Sequence, residues 1–237
     1  MGRVPRLREG ALRLLQFNAN GLRSRELALV EALQRWNVDV VCVQETNLRA
    51  GESVVVPGFT CYWRAREHHR ATADRTSSHG GVAIFVRQGL SHSQLPPLAL
   101  PAGAALETLA VEVRLSAGHA VKVLNVYRPP VRGGEADGRD GGLHLDRWPT
   151  GRDWFVLADV NGHGGWDLNN DPDDVGEELE AWLDDHSWAC LNSGEPTRVA
   201  WSGALSSPDV TLAHASWLGR ASWSVAGSLG SDHLLLL

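Results

Sequence analysis

Lysine is almost missing from this sequence. Of its 22 basic residues Lys122 is the only lysine, so a lysine-lined phosphate pocket of the kind a phosphoinositide phosphatase would use is not on offer. Cysteine is scarce too. Cys42, Cys61 and Cys190 are odd in number, far apart and without metal-ligand spacing. That excludes a disulfide framework and reads as reduced, mostly buried thiols of an intracellular protein. No apolar run approaches the roughly 20 residues of a membrane helix, so no membrane partner is expected. Met1 to Gly10 carries arginine but no apolar stretch, which argues against a secretory signal, and these ten residues are expected to be disordered. No Pro/Ser/Gly linker and no internal repeat divides the 237 residues, so a single domain is expected. Excess positive charge is also lacking. At a net charge of −6 the chain does not advertise nucleic-acid binding.

The distribution of charge says more than its sum. Residues 1–90 hold 13 arginines against 8 acids, and the remainder 9 basic residues against 20 acids. Arg64, Arg66, Arg70 and Arg75 could therefore build a local phosphate-facing surface on an acidic protein. GC-rich coding explains the same arginine bias equally well.

A hydrophobic fraction of 43% is enough for an ordinary core. Strands are expected at Leu12–Phe17, Asp39–Val43, Phe59–Arg64, Gly81–Val86, Thr108–Val113, Val121–Tyr127 and Trp154–Ala158. Shorter ones follow near Ala189–Leu191, Val210–Ala213 and Ser222–Ala226, and in the closing leucines. Leu27, Val30, Leu33 and Trp36 mark an amphipathic helix over Ser24–Trp36, with Ser24 as its cap. Leu179, Trp182 and Leu183 mark a second over Asp174–His186, with acids at its start, where the helix dipole favours them. Pro129 to Pro149 reads as a long surface loop with at most a short helical turn. Many strands and few helices predict an α/β sandwich, two packed sheets with helices outside.

Polar residues recur at the strand ends: Asn18, Glu45, Tyr127, Asp159 with Asn161, and Asp232 with His233. Buried strands that end this way would collect acids, amides and a histidine at one edge of the sandwich. An Asp–His pair at a rigid strand mouth suits metal-assisted hydrolysis, because the carboxylate reaches a divalent cation and the imidazole titrates near neutrality.

In order along the chain stand Gln16-Phe17-Asn18-Ala19-Asn20-Gly21-Leu22, Val43-Gln44-Glu45-Thr46, Gly80-Gly81-Val82-Ala83 and Asn125-Val126-Tyr127-Arg128-Pro129. They are followed by Ala158-Asp159-Val160-Asn161, Ser207-Pro208-Asp209-Val210-Thr211-Leu212 and Gly230-Ser231-Asp232-His233. This ordered set resembles the endonuclease/exonuclease/phosphatase superfamily of metal-dependent phosphodiesterases. Asn161-Gly162-His163 with Trp166, Glu195-Pro196-Thr197-Arg198 and Ser206 to Leu212 are similar to the endonuclease domain of non-long-terminal-repeat retrotransposons. The resemblance implies a four-layer α/β sandwich of the deoxyribonuclease type. It implies a front-end piece of a longer polyprotein with a reverse transcriptase downstream, duplex DNA as partner, Mg²⁺ or Mn²⁺ as cofactor, and the nucleus as its place of action.

Carried over by motif, Glu45 would hold the metal, which prefers a few hard oxygen ligands. Asn18, and Asn20 if it is more than a turn residue, would complete or orient the metal shell as neutral oxygen donors. Asp232 would touch the metal or hold a group that does. His233 and Asp209 should form a hydrogen-bonded pair aimed at the phosphate. Asp159 would position or deprotonate the attacking water, with Asn161 binding water or phosphate and Tyr127 donating its hydroxyl to the phosphate. Arg70, Arg75, Arg198 and Trp201, on two surface loops, would meet DNA. Packing against a sheet is nonetheless the first expectation for Trp201, Trp217 and Trp223 as a group.

Four departures stand out: Pro130 where apurinic-site enzymes place asparagine, Asn20 where many relatives carry an acid, Ala158 for glycine, and Leu235 for proline. None removes a group that does chemistry. His163 is expected to be a loop residue, not a ligand. A calcium loop at Asp167 to Glu178 is rejected because Pro172 stands where the sharp turn needs glycine. The expected activity is metal-dependent nicking of duplex DNA that leaves a 3′-hydroxyl to prime reverse transcription. The alternatives are an apurinic/apyrimidinic repair endonuclease, a small-molecule phosphodiesterase, and a decayed copy that only binds DNA.

Overall fold

Val40–Gln44 (β2) is apolar on both faces, and the fold uses both. Val40 and Cys42 point into a cluster with Leu109, Val111, Val123 and Leu157, whereas Val41 and Val43 point away into a cluster with Leu29, Ala32 and Leu33 of the helix Glu26–Arg35 (α1). Trp154–Asp159 (β8) divides the same way. Phe155 and Leu157 face the first cluster, and Val156 and Ala158 pack on Leu179, Trp182 and Leu183 of the helix Asp174–His186 (α2). Helix, sheet, sheet and helix therefore stack in four layers, with one core between the sheets and one under each helix.

A computed structural model describes residues 11–49, 51–66, 80–115, 118–130 and 140–237. The expectations for residues 1–10, Arg70, Arg75 and 131–139 lie outside the described residues. One six-stranded sheet runs Val225–Ser228 (β13), Leu234–Leu236 (β14), Leu14–Asn18 (β1), β2, Val82–Arg87 (β4), Phe59–Arg64 (β3). The other runs Ser91–Gln94 (β5), Glu107–Arg114 (β6), Ala120–Tyr127 (β7), β8, Asp209–His214 (β12), Trp188–Cys190 (β9). A small separate hairpin pairs Arg198–Val199 (β10) with Leu205–Ser206 (β11).

Two parallel ladders decide where the chemistry collects. β1 runs beside β2 with Asn18 opposite Gln44, and β7 beside β8 with Tyr127 opposite Asp159. The antiparallel β12 begins at Asp209, opposite Asp159, and β14 begins just after His233. The ends of four strands and the beginnings of two thus share one edge of the sandwich.

The structure corrects several local expectations. Ser24 caps no α-helix; it lies inside a 3₁₀ turn, Leu22–Arg25, and its hydroxyl donates to the Gly21 carbonyl. α2 has the expected bounds, but its cap is Asp173, whose carboxylate accepts the Gly176 and His163 N–H groups. Residues 140–149 are not a surface loop. Leu143, Leu145 and Trp148 are buried beneath α2, with the Trp148 indole donating to the Leu143 carbonyl. Trp36, placed by its spacing on the apolar face of the helix expected over Ser24–Trp36, is only half-buried and lies under Arg35. β5 and the β10–β11 hairpin were not foreseen.

Candidate active site

A polar layer between the sheets underlies this edge. Gln16, Gln44 and Asn125 sit on strands at positions facing the other sheet, where alternation calls for apolar residues. The Gln16 amide donates to the Ala158 carbonyl at 2.8 Å, and Gln44 donates to Asn125 Oδ1 at 2.7 Å. Asn125 in turn donates to the carbonyls of Val43 and Ala83. All three are fully buried, and their bonds fix one sheet against the other directly below the site. They lie inside the motifs of the chain, beside the residues that carry chemistry, and no local pattern assigns them a role. Their signal is a buried polar residue at an apolar parity.

Glu45 follows β2 immediately, yet it does not continue the strand. Its φ of 47° lies in the left-handed region, which a non-glycine residue adopts at a cost of about 1–3 kcal/mol. Bonds from Gly21 N–H to the Glu45 carbonyl and from Thr46 N–H to the Gly81 carbonyl hold that turn. The turn swings the carboxylate to the edge. There Glu45 Oε1 and Asp159 Oδ2 share the Asn18 amide nitrogen, at 3.0 and 2.6 Å. Asn18 Oδ1 is taken by the Asn20 N–H at 3.0 Å. Turning the amide over would set oxygen against two carboxylates and NH₂ against an N–H, so the network fixes its orientation. Asn18 therefore presents nitrogen, not oxygen, to the acids, and of its two expected roles the geometry fits the orienting one.

Asp159, Asp209 and His233 converge, their ligand-capable atoms within 4.8 Å of one another and all three residues buried. Asp209 Oδ2 accepts from His233 Nδ1 and from the Thr197 hydroxyl, each at 2.8 Å, whereas Asp209 Oδ1 is buried without a partner among the described residues. Burial, and then the charge of Asp209, push the Asp159 carboxyl up to about 7. Burial alone would favour the neutral His233 ring, but the charge and hydrogen bond of Asp209, with Asp159 and Asp232 beyond, raise it to about 9. Tyr127 ends β7 hydrogen-bonded to Glu45. Burial first, then the Glu45 and Asp159 charges, hold its phenol well above the ordinary range. The Arg66 guanidinium, paired with Glu107, lies 5.7 Å from the centre of the Tyr127 ring. Asn161, also at positive φ, donates to the Arg128 carbonyl at 2.8 Å, and Arg128 in return binds the carbonyls of Val160 and Asn161.

Asp232 stands slightly apart. Two N–H groups of Arg198, from Nε and one Nη, converge on Asp232 Oδ2 at 2.8 Å. Although burial opposes it, this bond and the His233 charge hold the Asp232 carboxyl below the usual carboxylate range. Arg198 and Asp232, expected as a DNA contact and a metal acid, are thus each other's partners. Trp201, at the tip of the hairpin, is 87% exposed, against the expectation of sheet packing. Trp217 instead packs against Phe155 with the rings tilted, and the Trp223 indole donates to the Thr211 hydroxyl.

The donor set fits a hard divalent cation. Asp159 and Asp209 bring carboxylate oxygens together, Glu45 lies across the Asn18 amide from Asp159, and Asp209 Oδ1, buried with no partner among the described residues, is a group such an ion would satisfy.

Two mixed sheets carrying this edge place the chain in the deoxyribonuclease-like fold class. The endonuclease domain of TRAS1, a telomere-specific non-LTR retrotransposon, superimposes with a TM-score of 0.69 at 19% identity, covering 95% of this chain and 96% of that one. An AP endonuclease from Archaeoglobus fulgidus gives 0.67 at 16% identity, over 95% and 98%. The family model of the endonuclease/exonuclease/phosphatase family matches residues 15–233, and the chain belongs to that family. It is 26% identical to the RNA-directed DNA polymerase from mobile element jockey of Drosophila melanogaster, over 95% of this chain and 23% of that protein. It is 29% identical to the probable RNA-directed DNA polymerase from transposon BS of the same species, over 95% and 24%. The chain thus spans less than a quarter of the length of these relatives.

Proposed function

We propose that the chain is the endonuclease part of a non-LTR retroelement protein, hydrolysing one strand of duplex DNA with Mg²⁺ or Mn²⁺. The observation that carries this reading is the convergence of Asp159, Asp209 and His233 beside Glu45, from both sheets, on one edge. Glu45 and the neighbouring carboxylates would hold the cation, with Asn18 orienting them. The ion would supply positive charge to a phosphate oxygen.

Asp159 holds the attacking water. Burial and the Asp209 charge raise its carboxyl above the ordinary range, the direction that suits taking a proton from water. The Asn161 nitrogen is committed to Arg128, so its side-chain oxygen is the atom left for that water. His233, turned by Asp209 and carrying its proton below about 9, donates from its other nitrogen to the phosphate. Tyr127 shifts its hydroxyl from Glu45 to a phosphate oxygen when substrate arrives. The water oxygen bonds to phosphorus as the P–O3′ bond breaks, the departing 3′ oxygen takes a proton from solvent, and the resulting 3′-hydroxyl is one that a reverse transcriptase domain of the same polyprotein would extend on nuclear DNA. Two features of the relatives support that last step: they are RNA-directed DNA polymerases, and this chain matches under a quarter of each.

Supercoiled plasmid and an abasic duplex, each with and without Mg²⁺, test the reading. Mg²⁺-dependent conversion of plasmid to open circles with polymerase-extendable ends is the expected result. Cleavage confined to the abasic duplex would replace it with the repair activity, and no cleavage of either would reject it.

A further inference from the structure

The hairpin β10–β11 has a ladder of two residue pairs, too little to hold a fixed pose alone. On β11 the Leu205 carbonyl accepts from the Asn170 amide, and the ties of β10 run to the catalytic turn. Arg198 bridges to His233, Val199 N–H donates to the Asp232 carbonyl at 2.8 Å, and Leu234 N–H donates to the Thr197 carbonyl at 2.7 Å. Thr197 also holds Asp209 through its hydroxyl. One side-chain ion pair reinforces these bonds, Arg198 on Asp232 Oδ2, with the aspartate side chain 8% exposed and the arginine 38%.

Resting on the endonuclease reading, we propose that Arg198 is a positioning residue for His233 and not a ligand of DNA phosphate. Two of its five N–H groups are committed to Asp232 Oδ2, on the side of the guanidinium turned toward the catalytic turn. It locks the Asp232–His233 turn to the root of the hairpin, so that the imidazole meets the phosphate at a fixed angle. Trp201, three residues on at the exposed tip, is then the part of the hairpin that faces DNA, and a displacement of the tip is felt at the Asp209–His233 pair through Thr197 and Arg198. Arginine suits the task because two N–H groups of one rigid plane reach the same oxygen, which lysine cannot reproduce.

The test compares Arg198→Gln, Asp232→Asn and the double variant with the wild-type chain, using amide exchange without metal, duplex binding against salt, and plasmid nicking. Positioning predicts faster exchange of the Val199 and Leu234 amides in both single variants. It predicts a loss of nicking of about 10²-fold from misplacement, little further loss in the double variant, and an unchanged salt slope of binding. A phosphate ligand would show the reverse: native exchange rates in Arg198→Gln and a salt slope smaller by about 0.9. That result overturns the proposal. A wild-type chain that nicks nothing would reject the endonuclease reading, while the exchange and binding arms would still decide the role of Arg198.

Discussion

Two aspartate–histidine pairs stand a few residues from the same strand ends, and they do different things. His233 Nδ1 meets Asp209 Oδ2 at 2.8 Å, and His163 Nδ1 meets Asp167 Oδ2 at the same 2.8 Å. What separates them is how the carboxylate is satisfied. Asp167 accepts four bonds: Oδ2 from His163, the Asn170 amide and Ser207 N–H, and Oδ1 from Asn169 N–H. Although burial opposes its charge, the two backbone N–H groups and then Asn170 and His163 keep its carboxyl below the ordinary range. It ties the loop after β8 to Ser207 at the root of β12, with the Trp166 indole gripping the Ser207 carbonyl from the same loop. Among the described residues, Asp209 has one oxygen without a partner and a second buried acid, Asp159, near its histidine. A pair whose carboxylate has both oxygens engaged is a clamp, whereas a pair with one carboxylate oxygen still able to accept is suited to chemistry. The hydrogen bond they share does not tell them apart.

Substitutions should split the pairs along that line. Glu45→Gln has the largest expected effect, because it removes a charge and keeps the shape: plasmid nicking should fall by orders of magnitude and recover in part at high Mg²⁺. His233→Ala should lower nicking by about 10²- to 10⁴-fold, the usual contribution of a positioned acid–base group, while His163→Ala leaves the rate within a few-fold. Equal losses from the two histidines would erase the distinction drawn between the pairs.

Stability should invert the order. Asp167→Ala strands the buried Ser207 N–H and should cost about 1–3 kcal/mol in denaturant unfolding, with the metal requirement unchanged. Asp209→Asn relieves the repulsion on Asp159 and should cost less stability than Asp167→Ala while abolishing most nicking.

Proton linkage sharpens the contrast further. Asp159 is raised from 3.8 to about 7, so in chelator the stability it lends is full below pH 3.8 and is lost as pH rises toward 7. His233, raised from 6.5 to about 9, contributes fully below pH 6.5 and loses that as pH rises through 9. Thermal melts in chelator should therefore fall from pH 4 to 9. The lower half of that fall should vanish in Asp159→Asn, and a fall of unchanged shape would contradict the assignment. The smallest effect is on site choice: Trp201→Ala should redistribute nick positions on a sequenced duplex while the Mg²⁺ requirement stays.

The elements were legible where pattern is strong. Phe59–Arg64 and Asp174–His186 appear with the expected bounds, and the acids, amide, tyrosine and histidine named at strand ends do share one edge. What was hidden depends on pairing across the fold. Nothing local marks Arg198 as the partner of Asp232, 34 positions on, and the same residue types read more simply as a DNA contact and a metal acid. The orientation of the Asn18 amide follows from Glu45, Asp159 and Asn20 together, not from its motif. The left-handed turn at Glu45 breaks strand alternation by backbone geometry that only neighbouring hydrogen bonds impose. The β10–β11 hairpin has two residue pairs and no periodicity to detect.

The most direct measurement puts wild type, Glu45→Gln, His233→Ala and His163→Ala on one supercoiled plasmid, with Mg²⁺ and with chelator. Hydrolysis at this edge predicts Mg²⁺-dependent open circles from wild type and His163→Ala, and intact supercoils from the other two variants and from every chelator lane. Nicking by Glu45→Gln and His233→Ala at the wild-type rate, with native folding, would show that the cleavage chemistry lies elsewhere.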